Sequence, residues 1–171
     1  MQKDSNKTKY IVLAALFAAI IFVVTAYIHV PSHNGYTHVG DAFIYLAGAL
    51  LPTPYAVAAG AIGAALADGL TGYAMWMVPS IIIKSLTALL FTSKTRNILC
   101  LRNVLALIPS FVLCAGGYYL AEVIMVQNWV APLAGIPGYC IQVSMSAVLF
   151  VGLSFVLDRM GFKRRVGLQC A

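Results

Sequence analysis

The sequence predicts an all-α integral membrane protein: six transmembrane helices in one bundle, with both termini cytoplasmic. Composition is the first reason, since 61% of the 171 residues are hydrophobic, 9% are charged and the mean hydropathy is +0.90. A soluble domain carries far more polar surface than this, so the chain belongs in a bilayer. Length is the second, because 171 residues suit one bundle of five or six helices of about 20 residues each and leave no room for a second domain. Charge placement is the third. Lys3, Lys7 and Lys9 precede the first apolar run, Lys94, Arg96 and Arg102 occupy a central polar break, and Arg159, Lys163, Arg164 and Arg165 follow the last run. This alternation is the positive-inside pattern, so the net charge of +6 reads as an orientation signal and not as a nucleic-acid footprint.

The first helix is expected over residues 10–30, running outward; it is longer than the roughly 7–15 residue core of a cleaved signal and is read as retained. The external loop "PSHNGYTH" follows, with His33 and His38. A second helix opens near Asp41 and stops at "LPTP", because proline cannot sustain a helix. From Asp41 to Leu51 it would rise only ~16 Å, about half the hydrocarbon thickness. Either it begins earlier, in the histidine loop, or its outer end is sunk inside the protein. The third helix, 54–70, is rich in small residues; the fourth covers 79–93 and ends in the basic "SKTRNILCLRN". The fifth, 103–126, returns outward to "QNWVAPLAGIPG", and the sixth, 138–158, ends at the basic tail.

Four ionisable residues fall within or at the rims of the apolar runs: Asp41, Asp68, Lys84 and Glu122. The topology puts all four in the outer half of the membrane, on four different helices. Intramembrane charges face a bundle interior or cavity, where partners offset their desolvation, so the four suggest a shared polar pocket open to the outside. Plainer readings stand beside this one. Lys84 and Asp68 could form a structural ion pair, Asp41 could cap its helix, and Glu122 could snorkel to the interface. Tyr45, Tyr73, Trp76 and Tyr118 lie near these charges, where they fit either an interfacial belt or stacking on a flat heterocycle. Gln142 could supply directed hydrogen bonds, and His38 a lid contact. Three acids against one base would favour a ligand with a positive charge or several N–H donors.

No metal site or cofactor is expected. His29, His33 and His38 are separated by Pro31 and Gly35, and Cys100, Cys114, Cys140 and Cys170 lack ligand spacing, so they read as small apolar fillers. No catalytic set is assembled either: Ser85 and Ser110 lie away from the histidines, and Asp41 with Asp68 is the single conceivable aspartate pair. The chain is therefore read as a binding protein and not an enzyme, against two alternatives: a membrane enzyme acting on a small or lipidic substrate, or a non-transporting scaffold. On the first helix, Ala14 and Ala18, with Ala15 and Ala19, form paired small-xxx-small stripes; a second such stripe runs through Ala56, Gly60, Ala64 and Ala67. One packs the bundle, which leaves one for a partner helix.

The pieces "AALFAAI", "HVGDAFIYLAGALL", "GAIGAALADGLTGY" and "IIIKSL", with the gapped set Gly40-Asp41, Ala67-Asp68, Gly72-Tyr73 and Lys84, resemble the substrate-binding S components of energy-coupling factor (ECF) vitamin transporters. The group concerned includes riboflavin-type, hydroxymethylpyrimidine-type and queuosine-related members. The resemblance implies a multi-pass protein of a bacterial-type cell membrane that binds a small vitamin or precursor from outside. It implies docking on a transmembrane T component with two cytoplasmic ATPases, and delivery by reorienting the whole S component. Ala14, Ala15, Ala18 and Ala19 would face the T component, and residues 31–40 would cap the ligand. The chain has no GxxxxGK[ST] sequence, so ATP hydrolysis falls to the partner. The acid-rich mouth orders the ligands as queuosine or queuine-type deazaguanines, then pyridoxamine, pyridoxine or hydroxymethylpyrimidine, then riboflavin.

Overall fold

The computed structural model describes residues 2–31 and 36–168. Eight helices and one small hairpin make up these residues: α1 (Gln2–Tyr27), β1 (His29–Pro31), β2 (Tyr36–His38), α2 (Asp41–Leu50), α3 (Thr53–Leu70), α4 (Met77–Leu90), α5 (Leu101–Leu105), α6 (Leu107–Val126), α7 (Ile136–Arg159) and α8 (Phe162–Arg165). The hairpin qualifies the all-α expectation. α1 stops at Tyr27, and His29, Val30 and Pro31 pair antiparallel with His38, Thr37 and Tyr36. His33 and Cys170 lie outside the described residues.

Local chemistry sets the breaks. Leu51 is extended and Pro52 opens α3, so the chain reverses within two residues. Beyond α3, Thr71 hydroxyl donates to the Ala67 carbonyl (2.7 Å), and Gly72 takes φ +87°, a left-handed turn that a side chain would strain. α5 and α6 form one segment with a step at Ala106. Pro109 accounts for the step: it cannot donate to the Leu105 carbonyl, and its ring crowds that group. α6 ends at Gln127 in the left-handed conformation (φ 54°).

α2 is the central pillar. It touches α1, α3, α4 and α7, while α1, α3, α4, α6 and α7 pack as successive neighbours around it. Every α2 residue except Phe43 is buried. It begins at Asp41, not in the histidine loop, and at ten residues it rises only ~15 Å. The short second helix is thus the sunken one. Among the described residues, three helical stretches are long and apolar enough to cross a membrane: Asn6–Tyr27, Leu101–Val126 and Ala131–Arg159. Asp41–Leu50 and Ala74–Leu90 are apolar but shorter. Large apolar side chains face outward on every long helix, among them Leu16, Leu70, Ile82, Val112, Ile124 and Val148. Water does not tolerate so continuous an apolar surface, whereas lipid does.

α1 and α3 approach through small residues. A Cβ on Gly63 would lie 2.8 Å from the Ala18 carbonyl and 2.8 Å from Ile21 Cβ, so the two backbones could not stay this close with any larger residue there. Ala14 and Ala18 are buried in this contact, while Ala15 and Ala19 are exposed. That corrects the expectation of a four-alanine docking face: Ala14 and Ala18 pack the bundle itself. The α3 stripe of Ala56, Gly60, Ala64 and Ala67 is likewise buried.

The three basic clusters meet at one end of the bundle. Lys9 Nζ donates to the carbonyls of Val166 and of Gly167 (2.8 Å), and Lys163 Nζ to those of Ser93 (3.2 Å) and Thr95 (2.9 Å). Asp158 accepts the amides of Ile98 and Leu99, both at 2.8 Å. Asn103 accepts from the Thr92 amide (2.8 Å) and donates to the carbonyls of Thr92 and Ile98 (both 3.0 Å). The polar break is a fixed loop whose backbone groups are satisfied by side chains.

Candidate ligand-binding site

The opposite end gathers the sequence-predicted residues. Asp41 lies in the first turn of α2, but its carboxylate makes no capping bond. Instead Oδ1 is 2.7 Å from Lys84 Nζ, and Oδ2 accepts from Gln142 Nε2 at 3.0 Å. Both charged groups are almost fully buried, at 1% and 2% exposure. Two plainer readings are corrected here. Asp41 is an ion-pair partner and not a cap, and Lys84 pairs with Asp41 rather than Asp68, because α4 lies against the central α2.

Cys114 belongs to the same cluster: its Sγ lies 3.7 Å from Asp41 Oδ2, 3.8 Å from Lys84 Nζ and 3.9 Å from Gln142 Nε2. Its thiol is a member of a polar cluster and not an apolar filler. Lys84 Nζ also sits 4.9 Å from the Tyr118 ring centroid, where the ring face attracts a cation.

Tyr118 links the ion pair to the rest. Its hydroxyl shares a hydrogen bond with Ser80 (2.9 Å), its ring meets Trp76 edge-on (centroids 5.8 Å), and it stacks on Tyr139 (5.5 Å). Tyr139 donates to Glu122 Oε2 at 3.0 Å. Glu122 is only 1% exposed, which removes the snorkelling reading; the turn at 131–135 and the start of α7 cover it. Toward the hairpin, Tyr36 donates to Asp68 Oδ1 and its ring packs on Tyr73 (4.7 Å) and His38 (5.5 Å). Burial and the Asp68 carboxylate push the Tyr36 phenol well above its ordinary range, so it remains a neutral donor. Asp68 Oδ2 is buried and faces the Ser80 hydroxyl, which is itself shared with Tyr118, and takes no closer hydrogen bond among the described residues.

Tyr45 stands apart, one helical turn deeper. Its ring stacks on Phe91 (4.8 Å) and meets Phe150 edge-on (5.8 Å), and its buried hydroxyl finds no hydrogen-bond partner among the described residues. It forms the floor and not the wall of the cluster. The structure therefore joins His38, Asp41, Asp68, Tyr73, Trp76, Lys84, Tyr118, Glu122 and Gln142 into one polar and aromatic assembly above Tyr45. It adds Tyr36, Ser80, Cys114 and Tyr139. Cys114 was legible in principle, since Ser110, Cys114, Tyr118 and Glu122 repeat every fourth residue on one face of α6 and all are buried. Among the described residues no group of three or more His, Cys, Asp or Glu could hold a metal ion.

His38 locks the hairpin to α2. Its Nδ1 accepts the Gly40 amide at 3.1 Å, and a Cβ on Gly40 would strike Thr25, so only glycine fits between α1 and this histidine. Burial pulls the His38 imidazole from 6.5 down to about 4, and the nearby Asp41 does not reverse it. The unfolded chain binds this proton near pH 6.5, the folded one only near pH 4, so the contribution is whole above pH 6.5 and is lost as pH falls toward 4. The full loss is roughly 3 kcal/mol. Melting His38→Gln beside the parent from pH 7 to 4 should show a smaller fall in Tm for the variant; parallel curves would reject the assignment.

The polar and aromatic assembly thus lies buried beneath the hairpin, in a bundle whose outer surface is apolar. The family model described as ECF-type riboflavin transporter, S component, matches residues 5–159. The chain belongs to this S component family. As an ECF S component it is the substrate-binding subunit of a membrane transporter, works with a T component and ATPases, and belongs to a transporter family and not an enzyme family. No curated protein matches the chain.

Proposed function

We propose that this S component captures a small planar nitrogen heterocycle from the outer face of the membrane, with queuine-type deazaguanines first among the ligands. The reading is carried by Asp68: a buried carboxylate whose Oδ2 has only the Ser80 hydroxyl near it, itself shared with Tyr118, set beside the Tyr36 and Tyr73 rings. A ligand N–H or ammonium would complete that acceptor, and the rings would take its flat face. Lys84 already offsets Asp41, which leaves Asp68 as the carboxylate that favours a donor-rich or cationic ligand. Deazaguanines of the queuine type offer a donor edge and an amine; pyridoxamine and hydroxymethylpyrimidine offer fewer such groups. Riboflavin is the second reading, favoured by the description of the matching family. The hairpin through His38 caps the site, and six spans with cytoplasmic termini follow from the positive-inside rule applied to the end where the three basic clusters meet.

Thermal-shift titration of the detergent-purified chain with queuine, pyridoxamine, hydroxymethylpyrimidine and riboflavin tests this. Queuine should stabilise most, and Asp68→Asn should weaken its binding roughly 10- to 100-fold, the worth of one hydrogen bond to a charged group. Stabilisation by riboflavin alone, unchanged by Asp68→Asn, sinks the donor-edge reading in favour of the flavin.

A further inference from the structure

The end of the bundle away from the ligand site carries a cleft of about 430 Å³ lined by Arg96, Asp158, Arg159, Lys163, Arg164 and Arg165, with backbone from the α7–α8 turn. Five basic side chains share it with one carboxylate. That carboxylate is committed, since Asp158 accepts the Ile98 and Leu99 amides with both oxygens at 2.8 Å. Lys163 is committed too: it is buried, and its ammonium holds the carbonyls of Ser93 and Thr95. These two residues tie the 91–100 loop to the α7–α8 end, which brings Arg96 into one lining with Arg159, Arg164 and Arg165. Four exposed guanidinium groups are left facing a common hollow. Held together they repel one another, and an anion with several oxygens would relieve that repulsion through paired N–H donors.

The surroundings say what kind of anion. Phe155 and Val156 on α7, one turn outward, and Met160 at the rim present half-exposed apolar side chains, and Arg159 lies over the Phe155 ring with its guanidinium carbon 4.7 Å from the centroid. The cleft is thus a charged hollow joined to a lipid-facing strip. We propose that it binds the phosphate of an anionic phospholipid, with the acyl chains lying along the apolar side of α7.

The test uses the full chain in nanodiscs of phosphatidylcholine containing phosphatidylglycerol or cardiolipin, read by native mass spectrometry after extraction. The parent should retain the anionic lipid over phosphatidylcholine, and Arg159→Gln/Arg164→Gln/Arg165→Gln should cut retention at least tenfold. Lys7→Gln/Lys94→Gln/Arg102→Gln removes the same charge outside the cleft and should leave retention unchanged. If the triple variant fails to fold, Arg96→Gln on the 91–100 loop should lower retention several-fold. Equal loss in the two charge-matched variants, or no loss in Arg96→Gln, overturns the proposal. Displacement of the lipid by millimolar inorganic phosphate overturns it also, in favour of a site for a free anion.

Discussion

Lys84→Met should lower the stability of the detergent-solubilised protein by roughly 3–5 kcal/mol and abolish ligand binding, because it strands the buried Asp41 carboxylate. The ammonium is the closest group to Asp41, and no other cation among the described residues is paired with it. Gln142 and Cys114 would still reach Asp41, but one amide and one weak thiol donor do not neutralise a charge in a dry core. Asp41→Asn/Lys84→Met removes both charges and should recover most of the lost stability, while binding stays impaired because the cluster geometry around Tyr118 and Gln142 is altered. Chemical or thermal denaturation with ligand titration on the three proteins separates the effects. A single variant as stable as the double would show that the pair is not what holds Asp41 in place.

The second large effect divides the alanines of α1. Ala15→Leu/Ala19→Leu places bulk on the outward stripe and should abolish uptake in cells while leaving ligand affinity within about twofold, if this stripe meets the T component. Ala14→Leu/Ala18→Leu should instead disturb the fold. The α1 backbone already stands where no Cβ on Gly63 would fit, so each added side chain there costs roughly 1–3 kcal/mol of overpacking. Purification yield and Tm report the second pair; transport with the T component and ATPases reports the first. Uptake that survives Ala15→Leu/Ala19→Leu would move the docking face elsewhere.

What could be read from the chain followed from chemistry local to each segment. Proline at 52 and 54 marked the end of α2, and unpaired acids within apolar runs marked the residues that cluster. The partners were harder. Asp41 and Lys84 are separated by a whole helix, and nothing in either segment says that α2 stands at the centre, where α4 can reach it. The same holds for Asp68, which turns to Tyr36 on the hairpin. The hairpin itself rests on two strands of three residues, too short for alternation to signal. At the basic end, Asp158 and Asn103 look like ordinary polar residues until the loop they cap is in view. The four-residue repeat of Ser110, Cys114, Tyr118 and Glu122 went unread, although it marks the polar face of α6 more directly than the charges do.

The shortness of α2 has a consequence for traffic. Below the Asp41–Lys84 pair, the space down to the basic end is filled by Tyr45, Phe91 and Phe150 packed ring on ring, with the rest of α2 buried around them. Among the described residues these rings leave no gate through the plug, and melting it would dismantle the core. On the proposed reading, a molecule held above it leaves by the mouth through which it arrived. If the cluster does hold cargo, delivery to the cytoplasm would then require that mouth to change sides of the membrane, carrying an intact, sealed vessel with it.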